Sequence, residues 1–225
     1  MRLKVAERSG PTRELILETA ERLFAEHGMY AVSNRQISEA AGQGNNAAVG
    51  YHFGTKADLV RAIAHKHSGP IERRRARMAD ALDDLASVRD WLACLVRPVT
   101  DHLDTLPAPT WFARFGAQVM TDPALRVIMV EESLGAPAMH RVLRGLEGCL
   151  PGLAPQVWAE RAGMTRQLMV HMWAERERAL AEGAPTARGS WTDAGTGLIN
   201  ALAGLWLAPS TPARGGVETE GEKQR

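Results

Sequence analysis

Residues 12 to 59, TRELILETAERLFAEHGMYAVSNRQISEAAGQGNNAAVGYHFGTKADL, place the starts and stops of several short helices in under fifty residues. Thr12 supplies a side-chain acceptor for the first turn of a helix, and Gly28 supplies the left-handed residue that ends one. Between them Ile16, Ala20, Leu23 and Phe24 form one apolar stripe. Glu14, Glu18, Glu21 and Glu26 lie mostly off that stripe, so this helix reads as a brace with one buried face, and its acids would repel phosphate.

Ser33 followed three residues later by Gln36 has the spacing of a capping box and predicts a helix start. Ile37, Ala40 and Ala41 form its expected buried side, before Gly42 and Gly44 break the chain. Asn45 opens the next helix. Val49 and Phe53, four apart, anchor its inner face and leave Ala47, Gly50 and Tyr51 outward. Asn45 and Asn46 each have two readings: Asn caps helix starts, and it also pairs bidentately with adenine in the major groove. Two short helices across a tight turn form a helix-turn-helix, the geometry that seats one helix in a DNA groove while the other braces it.

The stretch resembles the DNA-binding domain of the tetracycline-repressor (TetR/AcrR) family of bacterial regulators. The resemblance rests on the run from Thr12 through Leu23, Phe24 and Gly28, then Arg35, Ile37, Ala40, Ala41 and Gly42, and then His52, Phe53, Thr55, Lys56 and Leu59. It implies that Tyr51, His52, Thr55 and Lys56 clamp phosphates, and that Arg35, Gln43, Asn45, Asn46, Ala47 and Gly50 complete the DNA-contacting set. The chain departs from the usual pattern twice. Its turn is one residue longer, and Gly50 stands where a phosphate-binding tyrosine is usual, so Tyr51 takes over that contact.

At 225 residues and 45% hydrophobic content, the chain can bury a large core and divide into a small and a larger unit. The expected fold is all-α: a three-helix helix-turn-helix domain over residues 1 to 55, a helical-bundle effector-binding and dimerisation domain over 56 to 208, and a disordered tail over 209 to 225. Helical segments are expected near 56 to 84, 88 to 105, 109 to 121, 124 to 148, 154 to 182 and 191 to 208, with breaks that include Gly69-Pro70, and with Pro98 a possible kink. No stretch reads as a membrane span or signal peptide, and Cys94 and Cys149 read as free thiols, so a cytoplasmic protein is expected.

Net charge is only +1, but residues 61 to 77 carry six basic side chains against Glu72 alone. The Arg73 to Arg77 cluster is either a solvated face, a long-range attraction for DNA, or a contact between domains. Arg2, Lys4 and Arg8 belong to a disordered terminus or to an arm in the minor groove.

In the last two helices Val157, Met164, Leu168 and Met172, with Leu198, Leu202, Leu205 and Trp206, read as a homodimer face; an internal core is the competing account. All six tryptophans follow residue 90. His102, Trp111, Phe115, Met120, Met169 and Trp173 are the candidate lining of a pocket for a mainly apolar or aromatic effector. The expected function is a DNA-binding regulator, a repressor released from a palindromic operator by that effector; the alternatives are a ligand-independent DNA-binding protein and a helical protein-interaction adaptor. No cofactor or metal is expected: Gly42 to Ala47 fits a relaxed dinucleotide fingerprint but follows a helix where a strand is required, and His171 with Glu175 lacks a third ligand.

Overall fold

The computed structural model describes residues 3–45 and 47–210, with the backbone alone over residues 3–9. The described residues form ten α-helices: α1 Leu3–His27, α2 Asn34–Ala40, α3 Ala48–Phe53, α4 Lys56–Asp80, α5 Val88–Thr105, α6 Phe112–Thr121, α7 Arg126–Leu134, α8 Pro137–Gly148, α9 Pro155–Ala181 and α10 Trp191–Leu207. The all-α expectation holds. Most of the expected tail, residues 211–225, lies outside the described residues, as does Asn46.

The capping signals in the sequence act as helix starts. Ser33 N–H donates to Gln36 Oε1 at 2.8 Å while Gln36 N–H donates to Ser33 Oγ at 3.3 Å. Thr55 with Asp58 and Ser87 with Asp90 form the same box at the heads of α4 and α5. Each box satisfies first-turn donors that have no partner within the helix.

Four element expectations are corrected. The backbone of α1 is helical from Leu3, so Thr12 lies within the helix and not at its start. Pro11 lies inside that helix and Pro70 inside α4: proline's fixed φ is compatible with a helix, which continues at the cost of one backbone donor and of crowding against the preceding turn. The break expected at Gly69-Pro70 is therefore absent from α4. Conversely, the helix expected over 124 to 148 is two, α7 and α8, divided where Pro137 takes the first turn of α8. In α2 the buried partner of Ile37 is Ser38, and Ala40 is exposed.

The helices share two principal cores. Ile16, Phe24, Ile37, Val49, Leu59 and Ile63 join with Phe115, Val119 and Ile128, and α6 packs directly on α1 while α7 packs on α4. The core therefore runs across the boundary drawn at residues 55 and 56. In the second, Leu92 and Val96 of α5 meet Val142 of α8, and Leu198, Leu202 and Trp206 of α10.

Three helix ends are capped from other helices. Glu177 of α9 accepts from Ala113 N–H and Arg114 N–H at the head of α6, at 3.2 and 2.8 Å. Glu72 of α4 accepts from Ala138 N–H and Met139 N–H at the head of α8, at 2.6 and 3.3 Å. Arg161 of α9 donates to the Trp206 and Ala208 carbonyls at the end of α10, at 2.5 Å each. Neither α6 nor α8 has a side-chain cap of its own, so these charges fix where the helices meet.

Candidate DNA-binding face and internal cavity

The turn between α2 and α3 is built from Gly42, whose φ is +66°, and Asn45, whose Oδ1 accepts from Ala47 N–H at 2.9 Å. Asn45 thus closes a turn just ahead of the helix, which begins at Ala48, later than expected, with Ala47 at its cap position and no side-chain cap. Gln43 donates to the Ala41 carbonyl at 2.9 Å, which ties its side chain to the turn. Val49 is fully buried and Phe53 packs on the core with Arg13 stacked over its ring, while Ala47, Gly50 and Tyr51 face outward. Tyr51 is 80% exposed, and a Cβ on Gly50 would meet no atom within 4 Å. This surface is small enough at Ala47 and Gly50 for a close approach by a ligand backbone.

His52 stacks edge-on against Tyr51, with ring centroids 5.1 Å apart, and Thr55 stands beside them at the exposed head of α4. Arg35 is exposed and paired with Glu39 at 2.7 Å, one turn along α2. Arg35, Ala47, Gly50, Tyr51 and Thr55 are exposed and His52 half-buried; Lys56 is not presented with them. Its Nζ turns inward and donates to the Met29 and Val32 carbonyls at 2.7 and 2.8 Å, above the Phe24 ring. Burial lowers its pKa, and Asp122 offsets part of that effect. Phosphate clamping by Lys56 is therefore corrected to bracing: two of its three donors hold the loop that connects α1 to α2.

A cavity of about 950 Å3 opens among α4 to α10, within the size range of ligand sites. Met120, Met169 and Trp173 line it as expected, whereas His102, Trp111 and Phe115 do not. Phe115 belongs to the core shared with α1, where its ring lies 6.3 Å from that of Phe24. Trp111 is taken up by Arg114, whose guanidinium lies 4.5 Å from its ring. His102 is buried in a polar chain: its Nε2 lies 2.8 Å from His67 Nδ1, and His67 Nε2 lies 3.1 Å from Glu21 Oε2. Phe112 stacks on His67 at 4.0 Å. Glu21, read from sequence as one of the acids lying mostly off the buried stripe of the first helix, is buried and completes this chain.

The cavity holds a further pair that the sequence reading missed. Arg75 is 4% exposed, donates from Nη1 to Glu72 Oε2 at 2.7 Å, and has an Nε with no hydrogen-bond partner. The reading of Arg73 to Arg77 as one cluster is corrected accordingly: Arg73 and Arg77 are exposed, and Arg75 points into the protein. A signal was available, since Arg75 falls four residues from both Ile71 and Ala79 on the buried stripe of α4.

The expected dimer face is also corrected. Leu198, Leu202 and Trp206 are buried within the chain's own core, and Leu205 packs partly on it, because α10 lies against α5. Met164, Leu168 and Met172 form the outward ridge, 49%, 38% and 56% exposed at four-residue intervals along α9; Val157 is half-buried. His171 is exposed and Glu175 pairs with Arg178, and no cluster of three or more metal-ligating side chains occurs among the described residues. Cys94 is buried and Cys149 half-buried, both as free thiols, and burial pushes the Cys94 pKa up to about 11. No helix among the described residues is long and apolar enough to cross a membrane.

The family model described as bacterial regulatory proteins, tetR family, matches residues 16–63, and the tetracyclin repressor-like C-terminal domain model matches residues 93–204. The HTH-type transcriptional repressor AcnR of Corynebacterium glutamicum is 30% identical over 131 residues, covering 57% of this chain and 63% of that one. AcnR of Corynebacterium efficiens is 32% identical over 115 residues, covering 51% and 54%. The matches thus span between about half and just under two thirds of these relatives' lengths. Among solved structures, NalD, the secondary repressor of the MexAB-OprM multidrug efflux pump in Pseudomonas aeruginosa, superposes with a TM-score of 0.58 at 20% identity, over 86% of this chain and 96% of that one. With one family model on the helix-turn-helix, another on the bundle and the same fold in the solved relative, this chain belongs to the tetR family of bacterial regulatory proteins.

Proposed function

We propose that this chain is a homodimeric DNA-binding transcriptional repressor, released from a palindromic operator by a small molecule in the cavity. The observation that carries this reading is the course of α4. Its first turns, with Leu59, Val60 and Ile63, belong to the core of the helix-turn-helix, and its later turns, with Ile71, Glu72 and Arg75, line the cavity. A ligand that shifts the later turns must move the first ones too. The second contact is through α6, which lines the cavity with Gly116 and Met120 and packs on α1 with Phe115 and Val119, and which α7, lining the cavity with Met129, backs.

On this reading the ligand binds best to a conformation whose two readers are wrongly spaced, and coupling of ~1 to 3 kcal/mol suffices to change occupancy. Tyr51, His52 and Thr55 hold phosphates, and Arg35, Gln43, Asn45, Ala47 and Gly50 lie along the groove. The relatives named as repressors support the direction of control.

Selection of bound fragments from random or genomic DNA tests the assignment. A two-fold symmetric site is expected, with affinity falling as salt rises by a slope of ~0.9 per phosphate contact. Recovery of no preferred duplex, or binding indifferent to salt, would favour a protein-interaction adaptor instead. Exposed Met164, Leu168 and Met172 of α9, with the small exposed Ala201 and Gly204 of α10, are the dimer surface in this reading. Leu168→Glu together with Met172→Glu is expected to yield monomers by light scattering and to lower operator affinity at least ~10-fold, because one half-site is then lost.

A further inference from the structure

We propose that the cavity is built for an amphiphile with an apolar body and an anionic oxygen head, a carboxylate in the simplest case, that accepts a hydrogen bond from Arg75 Nε. This deepens the effector-release reading and rests on it for its regulatory meaning, but not for its chemistry.

The walls are mainly aliphatic and aromatic, with Ile71, Leu95, Val99, Leu103 and Met169 among them. Into this lining come two buried donors without acceptors: Nε of Arg75 and Nε1 of Trp173. A guanidinium cannot escape by losing its proton, and a buried donor left unmade is costly. Both oxygens of Glu72 are already engaged, and neither accepts from Arg75 Nε. Its Oε2 already accepts from Arg75 Nη1, and its Oε1 accepts from Ala138 and Met139 N–H at the positive end of α8. One carboxylate therefore faces a guanidinium and a helix N-terminus together, and the surroundings of Arg75 remain short of negative charge.

The remaining carboxylates of the lining are engaged or at the surface. Glu132 faces His65 and Ser68 at 3.4 and 3.5 Å, and Glu131 is exposed. Neither has a hydrogen bond to Arg75. Burial lowers the Arg75 pKa from its ordinary value, against the opposing pull of Glu72, as expected of a cation with too little compensation. An incoming anion supplies the missing acceptor, while its apolar body covers the walls. Apolar side chains alone, as read from the sequence, would have suggested a neutral ligand.

The test uses the full chain and matched probes that differ only in the head: decanoate and 1-decanol, competing against the fluorescent neutral probe N-phenyl-1-naphthylamine at pH 7.5. Decanoate is expected to bind at least ~10-fold more tightly than the alcohol, the scale of a charge-assisted hydrogen bond in a dry site. Arg75→Met is expected to bring the two within ~3-fold of each other. Because Arg75 is buried and its replacement can prevent folding, Trp173→Phe provides a second measurement, expected to weaken decanoate at least ~3-fold more than it weakens the neutral probe. Equal affinity of acid and alcohol for the unaltered protein, or no competition by decanoate, overturns the inference. A mobility shift on the selected operator separates the two readings: Arg75-dependent binding of decanoate without DNA release upholds the head-group assignment and removes the release mechanism.

Discussion

Lys56 and Tyr51 are five residues apart and do different work. Tyr51 presents its ring to solvent at the outer face of α3, while Lys56 spends two hydrogen bonds closing the loop after α1. Replacing each should therefore separate contact from support. Tyr51→Ala is expected to leave the unfolding midpoint unchanged and to weaken binding to all DNA sequences alike, because phosphate contacts carry no base information. Lys56→Met is expected to cost roughly 1 to 3 kcal/mol of stability, since two carbonyls lose their donor, and to leave the salt slope of DNA binding nearly intact. Urea denaturation and salt titrations of the two variants decide it; a reduced slope with unaltered stability in Lys56→Met would return that lysine to the phosphate clamp. Sequence pattern could not make this distinction, because a lysine at a helix start has the same spelling whether its flexible chain turns outward or lies back over Phe24.

Between helices, close approach is set by residues too small to announce themselves. A Cβ on Gly145 of α8 would come within 2.2 Å of the Trp91 ring of α5, so Gly145→Ala must displace the indole or part the two helices. A loss of about 1 to 3 kcal/mol is expected, measurable as a lower thermal midpoint; an unchanged midpoint would mean that Trp91 swings aside freely. The element starts were legible where the signal was local: Ser33 with Gln36, Thr55 with Asp58 and Ser87 with Asp90 each form a closed box within one turn. The reading failed where the decision was tertiary. Leu198, Leu202 and Trp206 make an apolar stripe that suits a partner subunit and the chain's own α5 equally well, and only packing selects α5. Likewise Glu72 and Arg75, three residues apart, resemble any surface ion pair on a helix until α8 arrives to use the other carboxylate oxygen. The cavity was half-legible for the same reason: Met120, Met169 and Trp173 line it, whereas Phe115 fills the core that joins reader to bundle.

That shared core makes the molecule mechanically one unit, and the chain Glu21, His67, His102 is its polar component, joining α1, α4 and α5. With Glu21 ionised, His67 carries its proton on Nε2 and accepts through Nδ1 from Nε2–H of His102. Burial, the neighbouring His67 and the positive charge of Arg74 all disfavour a charged His102, whose pKa falls from 6.5 to about 4. Since the unfolded chain takes up that proton first, folded stability is full above pH 6.5 and is lost as the pH falls towards 4. The loss from this group alone amounts to at most about 3 kcal/mol. Because the three residues span α1, α4 and α5, the same fall in pH should, on the proposed release mechanism, loosen the coupling between the cavity and the helix-turn-helix. His102→Gln retains an N–H donor for His67 and removes the titration, so its urea midpoint is expected to change less between pH 7.5 and pH 5 than that of the unaltered chain. Parallel pH dependence in the two proteins would assign the acid sensitivity to other groups and leave the buried chain a purely structural tie.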